Sequence, residues 1–205
     1  EAARRALRLA PDWHVAQIEL ARVLTRQQQG EEAMQLAMQA LAGAPDEPQV
    51  VISAINVAMY AGNHEQMLRW AEDGVRRFPE NAGIRLFLAR WLVQLGRHQD
   101  AATHFETIIE RVPEHRGSLL GLIDCALHEQ DLDAARSWAD RLLETAPDDE
   151  VARYRHAVVH GQTPATQPSA LISELFDRLE PDYDLRMVRL LQYRLPERVA
   201  EILRE

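Results

Sequence analysis

Two ladders of polar side chains run through the sequence at a fixed interval. Arg22, Asn56, Arg90 and Asp124 stand 34 residues apart, and Arg26, Tyr60, Gln94 and His128 follow them by four. Residues four apart share one face of a helix. If helices carry these positions, an Arg/Asn/Arg wall would grip a carboxylate or an acidic peptide through charge-assisted and amide hydrogen bonds. Other chemistry is sparse. His156 and His160 could present two imidazoles to a metal, but no third ligand or intervening Glu accompanies them at a recognised spacing. They are expected to be a surface or packing pair, with no metal. His64 and His98, also 34 apart, fit repeat architecture better than a site. Cys125 lies in the apolar run "LLGLIDCAL", where a free thiol is usually a small core residue. There is no GxSxG, GxGxxG or phosphate loop, and no acid pair on a shared face, so no catalytic residue is expected within these 205 residues.

Composition narrows the partners. Acidic residues outnumber basic ones 32 to 23, for a formal net charge of -9, which argues against a broad phosphate-neutralising surface and hence against nucleic acid. Every basic residue is Arg and none is Lys, which leaves forked guanidinium groups for anion contacts and rules out Schiff-base lysines. A single Cys excludes an intrachain disulfide framework and fits a reducing compartment. No apolar run approaches the roughly 18 residues of a membrane span. The sequence opens at Glu1 in mid-pattern, which leaves room for a preceding segment.

The elements that must position the ladders are legible from the prolines. Pro11, Pro45, Pro79, Pro113 and Pro147 are 34 residues apart, each after an apolar helical run and before Asp or Glu, as in "LAPDW", "GAPDE" and "RFPEN". Small residues recur where two helices would approach closely: Ala21, Ala33 and Ala40, then Ala89 and Ala101, then Ala135. Gly62 and Gly96 fall between the two helical runs of their units. The unit reads as helix, short turn, helix, then a Pro that cannot continue the second helix.

These residues resemble the tetratricopeptide repeat, a 34-residue helix-turn-helix unit. The fold expected is all-α: a right-handed α-solenoid with a C-terminal helical cap. The array spans 1–160, as a partial repeat at 1–13, full repeats at 14–47, 48–81, 82–115 and 116–149, and a half repeat at 150–160. The second full repeat departs by placing Ile55 and Met67 where small residues are usual, with Gly74 at the third close-packing position, so large and small are expected to be exchanged across an interface. The fourth has Gln130 in place of the turn Gly. The resemblance implies that the ladder residues face a concave groove holding a peptide or a partner protein. It is similar to the two-carboxylate clamp of chaperone-binding members, but that clamp relies on Lys, which this chain lacks.

Beyond residue 160 the pattern changes. "GQTPATQPSA" (161–170) reads as a linker, and 171–205 as short amphipathic helices, a cap on the last repeat or something more. The stretch "LFDRLEPDYDLRMVRLLQYRLPERV" resembles the lead-in to the methyltransferase domain of bacterial proteins that fuse these repeats to a class I S-adenosylmethionine-dependent methyltransferase. That resemblance implies a cofactor domain continuing past Glu205, with Phe176, Tyr183 and Tyr193 as lid residues, S-adenosylmethionine as cofactor of the parent protein, no cofactor in this chain alone, and a cytoplasmic location. The alternatives are a stand-alone adaptor, or the recruiting module of another transferase acting on sulfo or glycosyl groups.

Overall fold

A proline every 34 residues sets the rhythm of the chain. The computed structural model describes residues 2–171, and among these every regular element is a helix. The first helices of successive units are α2 (His14–Arg26), α4 (Pro48–Tyr60), α6 (Ala82–Gln94), α8 (Arg116–His128) and α10 (Glu150–Val159). Each begins three residues after its proline. The second helices are α3 (Gly30–Gly43), α5 (His64–Arg77), α7 (His98–Arg111) and α9 (Leu132–Thr145), and a short α1 (Ala2–Leu9) precedes them all. Short polar side chains cap many of the starts: Asn63 accepts from the Gln66 N–H, Asn81 from Ile84, Asp131 from Ala134 and Asp149 from Val151, occupying donors that a helix start leaves open. No described helix is long and apolar enough to cross a membrane. The expected α-solenoid of helix-turn-helix units is what the chain forms.

Two compact units divide at Leu142/Leu143. In the first, α1 packs on α2, and α3, α5 and α7 each wedge between the first helix of their own unit and the next, while α2 also touches α4 and α6 touches α8. The seams are made by side chains too small to hold the helices apart: Ala21, Ala33, Ala37, Ala40, Ala54, Ala58, Ala71, Ala89, Ala101 and Ala135 have no exposed surface. Larger groups, among them Leu24, Met67, Ile84, Phe105 and Leu119, fill the layers between. The exchange expected in the second repeat is visible: Ile55 and Met67 are buried, and Gly74 admits Val51 and Ile84 to within 3.1 and 3.0 Å of where its own Cβ would be.

The second unit begins inside α9, contains α10, and includes residues that the sequence marks as a linker. Pro164, Thr166, Gln167, Pro168 and Ser169 line a pocket of about 330 Å³ with Glu150, Arg153, Tyr154 and Ala157 of α10. The segment therefore lies along α10, which is why the compact boundary does not fall in 161–170. α10 is three residues shorter than the other first helices, and two residues past its last one Gly161 turns the chain with φ +76°. The expected helices of 172–205 lie outside the described residues.

Three features escape the repeat pattern. Gln28, like Gln130, occupies the turn position filled elsewhere by Gly62 and Gly96, and both glutamines hold a left-handed φ near +60°, which costs a non-glycine residue roughly 1–2 kcal/mol. Three first helices also clasp their own proline: Gln17, Arg85 and Arg153 donate to the carbonyls of Pro11, Pro79 and Pro147, six residues back in each case. Val51 and Leu119 stand at the same place in the intervening units, so the clasp has a period of two repeats and is invisible to a search at one. The third is Phe105, whose ring occupies the volume a side chain on Gly121 would need.

Gly121→Ala is expected to cost about 1–3 kcal/mol by overpacking, whereas Gly43→Ala, at an open helix end with nothing within 4 Å, should gain about 0.5–1 kcal/mol. Urea melts of the two variants check the opposite signs. His104 supplies a pH test. Burial lowers its pKa below the usual 6.5, helped by the Arg85 guanidinium, whose Nη1 lies 3.3 Å from His104 Nδ1. The folded state binds this proton less readily than the unfolded chain, so the contribution is fully present above pH 6.5 and is lost as pH falls below it. His104→Gln should flatten that part of the pH–stability profile, read from thermal melts between about pH 7 and 5.

Candidate functional site

One turn of α2 separates Arg22 from Arg26, and one turn of α4 separates Asn56 from Tyr60. Because α2 and α4 pack side by side, the pairs face a common space: Arg22, Thr25, Arg26, Asn56, Val57 and Tyr60 line one pocket of about 440 Å³. Four of the eight expected ladder residues therefore meet. Val57 is buried and forms an apolar floor, while Tyr60 is 69% exposed and stands at the rim. Arg22 Nη1 donates to Glu19 Oε1 at 2.9 Å, an exposed pair one turn away of the kind worth only a few tenths of a kcal/mol. Thr25 donates its hydroxyl to the Arg22 carbonyl. Among the described residues the side chains of Arg26 and Asn56 carry no ion pair or hydrogen bond. The lining is thus rich in donors, holds no carboxylate of its own, and can satisfy a bound anion at little competing cost.

The other rungs diverge. The Arg90 guanidinium reaches over the first turn of α8, with Nη2 3.3 Å from where a Cβ on Gly117 would be; the absent side chain makes room for it. It does not join the pocket of Arg22 and Asn56, so the three do not form one continuous wall. His128 stacks on His98 with ring centroids 4.2 Å apart and planes within 6°, tying α8 to the start of α7. Gln94 is exposed, and Asp124 half-buried beside Cys125. Geometry, not spacing, makes this distinction: equal positions in sequence receive different neighbours whenever a flanking residue changes size, as Gly117 does for Arg90.

His64, the counterpart of His98, packs its ring 5.0 Å from Trp91 on α6. Both histidines open a second helix and lean on the first helix of the next unit, the architectural role their spacing suggested. In the second unit the His156 and His160 rings lie 4.3 Å apart in tilted contact. Cys125 is buried, and burial followed by the charges of Asp124 and Glu129 pushes its thiol up to about 11, which leaves almost no thiolate at neutral pH. Phe176, Tyr183 and Tyr193 lie outside the described residues.

A family model described as a tetratricopeptide repeat matches residues 53–106 and 89–150. Among solved structures, YrrB, described as a TPR protein with an unusual peptide-binding site, is similar at TM-score 0.61 and 21% identity, over 78% of this chain and 82% of that one. The MamA protein is similar at 0.62 and 11%, over 83% and 92%. TTC0263, a thermophilic TPR protein of Thermus thermophilus, is similar at 0.55 and 21%, over 77% and 87%. Identities this low speak to the fold alone. Among curated proteins none matches this sequence.

Proposed function

We propose that this chain, whose body is an array of tetratricopeptide repeats, is a protein-interaction scaffold that holds an acidic segment of a partner between α2 and α4. The observation that carries this reading is the convergence of Arg22, Arg26, Asn56 and Tyr60 on one pocket, with Arg26 and Asn56 unengaged among the described residues. Arg presents a planar fork suited to bidentate contact with an acidic group, Asn56 adds amide donors, and Val57 with the Tyr60 ring offers an apolar surface for the neighbouring side chain of the guest. Helices fix these groups in advance, so little ordering cost falls on binding from the protein's side. The formal charge of -9 repels acidic partners elsewhere on the surface, and the arginine pair provides the local exception.

Arg22→Ala with Arg26→Ala should weaken binding of a fluorescein-labelled hexaglutamate peptide by about tenfold or more, since charge-assisted hydrogen bonds are worth roughly 1.5–3 kcal/mol each. The melting temperature should stay nearly unchanged because both side chains are exposed. Fluorescence anisotropy beside a thermal melt checks the pair of outcomes. A collapsed melt would make the arginines structural, and unchanged anisotropy would move the site elsewhere.

A second reading concerns what the scaffold serves. The sequence "LFDRLEPDYDLRMVRLLQYRLPERV" supports a recruiting module for an S-adenosylmethionine-dependent methyltransferase, with the cofactor domain supplied by a longer parent polypeptide. In that protein the groove would present the methyl acceptor, and Phe176, Tyr183 and Tyr193 would border the cofactor. Calorimetric titration of the natural full-length polypeptide with S-adenosylmethionine should give saturable binding that residues 1–205 alone do not show; no binding by the full-length chain leaves the adaptor reading.

A further inference from the structure

The pocket between α2 and α4 has a composition that discriminates among anions. Its polar lining comprises two arginines one turn apart on α2 and Thr25 between them, whose hydroxyl is spent on the Arg22 carbonyl, with Asn56 and Tyr60 contributed by α4. Two arginines bring two positive charges, of which one is partly engaged by Glu19 at 2.9 Å. A carboxylate brings one charge and two oxygens. It balances the charge of one guanidinium and leaves the second to water. A phosphate monoester brings close to two charges and three acceptor oxygens, enough to take both arginine forks and Asn56 together. The pocket, at about 440 Å³, is also larger than a carboxylate requires and has room for a phosphorylated side chain, with Val57 and the Tyr60 ring lying beside its carbon stem.

We infer that the arginine pocket of α2 and α4 recognises a phosphate monoester carried on a side chain of the partner protein, so that docking on this scaffold depends on phosphorylation. This rests on the reading of the same pocket as the partner site. The absence of Lys throughout the chain means that both cations present forks, which fit carboxylate and phosphate oxygens alike, so charge and oxygen count make the choice between them. The exposed Arg22–Glu19 pair is worth too little to hold Arg22 back from a bound anion.

Isothermal titration of the full chain at low salt with phenyl phosphate, benzoate and inorganic phosphate separates the possibilities. Phenyl phosphate should bind about tenfold tighter than benzoate, and Arg26→Ala should abolish most of that preference with helicity unchanged by circular dichroism. Arg26→Lys should restore only part of it, because the fork is lost. Arg90→Ala, which alters a side chain directed at Gly117, should leave binding unchanged. Benzoate matching or exceeding phenyl phosphate would overturn the inference. So would inorganic phosphate binding as tightly as phenyl phosphate, which would mark a free-anion site, or an Arg26→Ala variant that keeps the preference. Hexaglutamate bound without any preference for phosphate sinks this inference and leaves the acidic-peptide scaffold standing, while a pocket that binds neither hexaglutamate nor phenyl phosphate sinks both.

Discussion

The structure depends on how closely two helices can approach. Ala21, Ala33, Ala40, Ala89, Ala101 and Ala135 bring only a methyl group to the seams between helices, and none of these side chains retains exposed surface. That contact recurs because each proline ends one helical pair and lets the next begin at the same phase, and each unit is stabilised mainly by its neighbours rather than by a core of its own. The exceptions obey the same constraint. Gly74 gives up its side chain beside Val51 and Ile84, and Gly121 gives up its own to the ring of Phe105. Bulk can move from one side of a seam to the other, but the total has to fit.

The candidate site is a consequence of that packing. Once α2 and α4 are locked side by side, the residues at equivalent places on each must share a surface, and Arg22, Arg26, Asn56 and Tyr60 are brought together without any segment dedicated to building a site. The same repetition explains why the ladder does not become one uniform wall. Arg90 finds open space over Gly117, and His128 finds the flat ring of His98. A solenoid offers a row of equivalent positions, and neighbouring residues decide which of them become usable donors.

The starts of the first helices were legible from five prolines, because a residue that cannot continue a helix is a strong signal and its spacing leaves little freedom. Half of the ladder was legible as a shared pocket, since helical phase places residues four apart on one face. What the sequence withheld depended on contacts distant along the chain or on a longer period. The proline clasp of Gln17, Arg85 and Arg153 alternates with Val51 and Leu119, and comparison of residues 68 apart in the sequence would have exposed it. Gln28 falls in 34-residue register with Gly62 and Gly96, but its own residue type does not mark the left-handed backbone that the turn imposes on it. The Pro-rich stretch after α10 reads as a free linker by composition, yet Pro164 and Pro168 share a pocket with Tyr154; composition records the loss of helix and is silent on packing.

If the α2–α4 pocket is the working face of the scaffold, a crosslinker set at its rim should capture the partner. A photo-crosslinking benzoylphenylalanine can be placed at Tyr60, on the rim of the pocket, and in a second variant at Met38 on α3, which is also exposed though less so, at 49% against 69%, and each irradiated in the native host. A discrete partner adduct is expected from position 60, absent from position 38, and lost when Arg22 and Arg26 are both replaced by Ala. An adduct from position 38 with none from position 60, or one from position 60 that survives loss of both arginines, would contradict it.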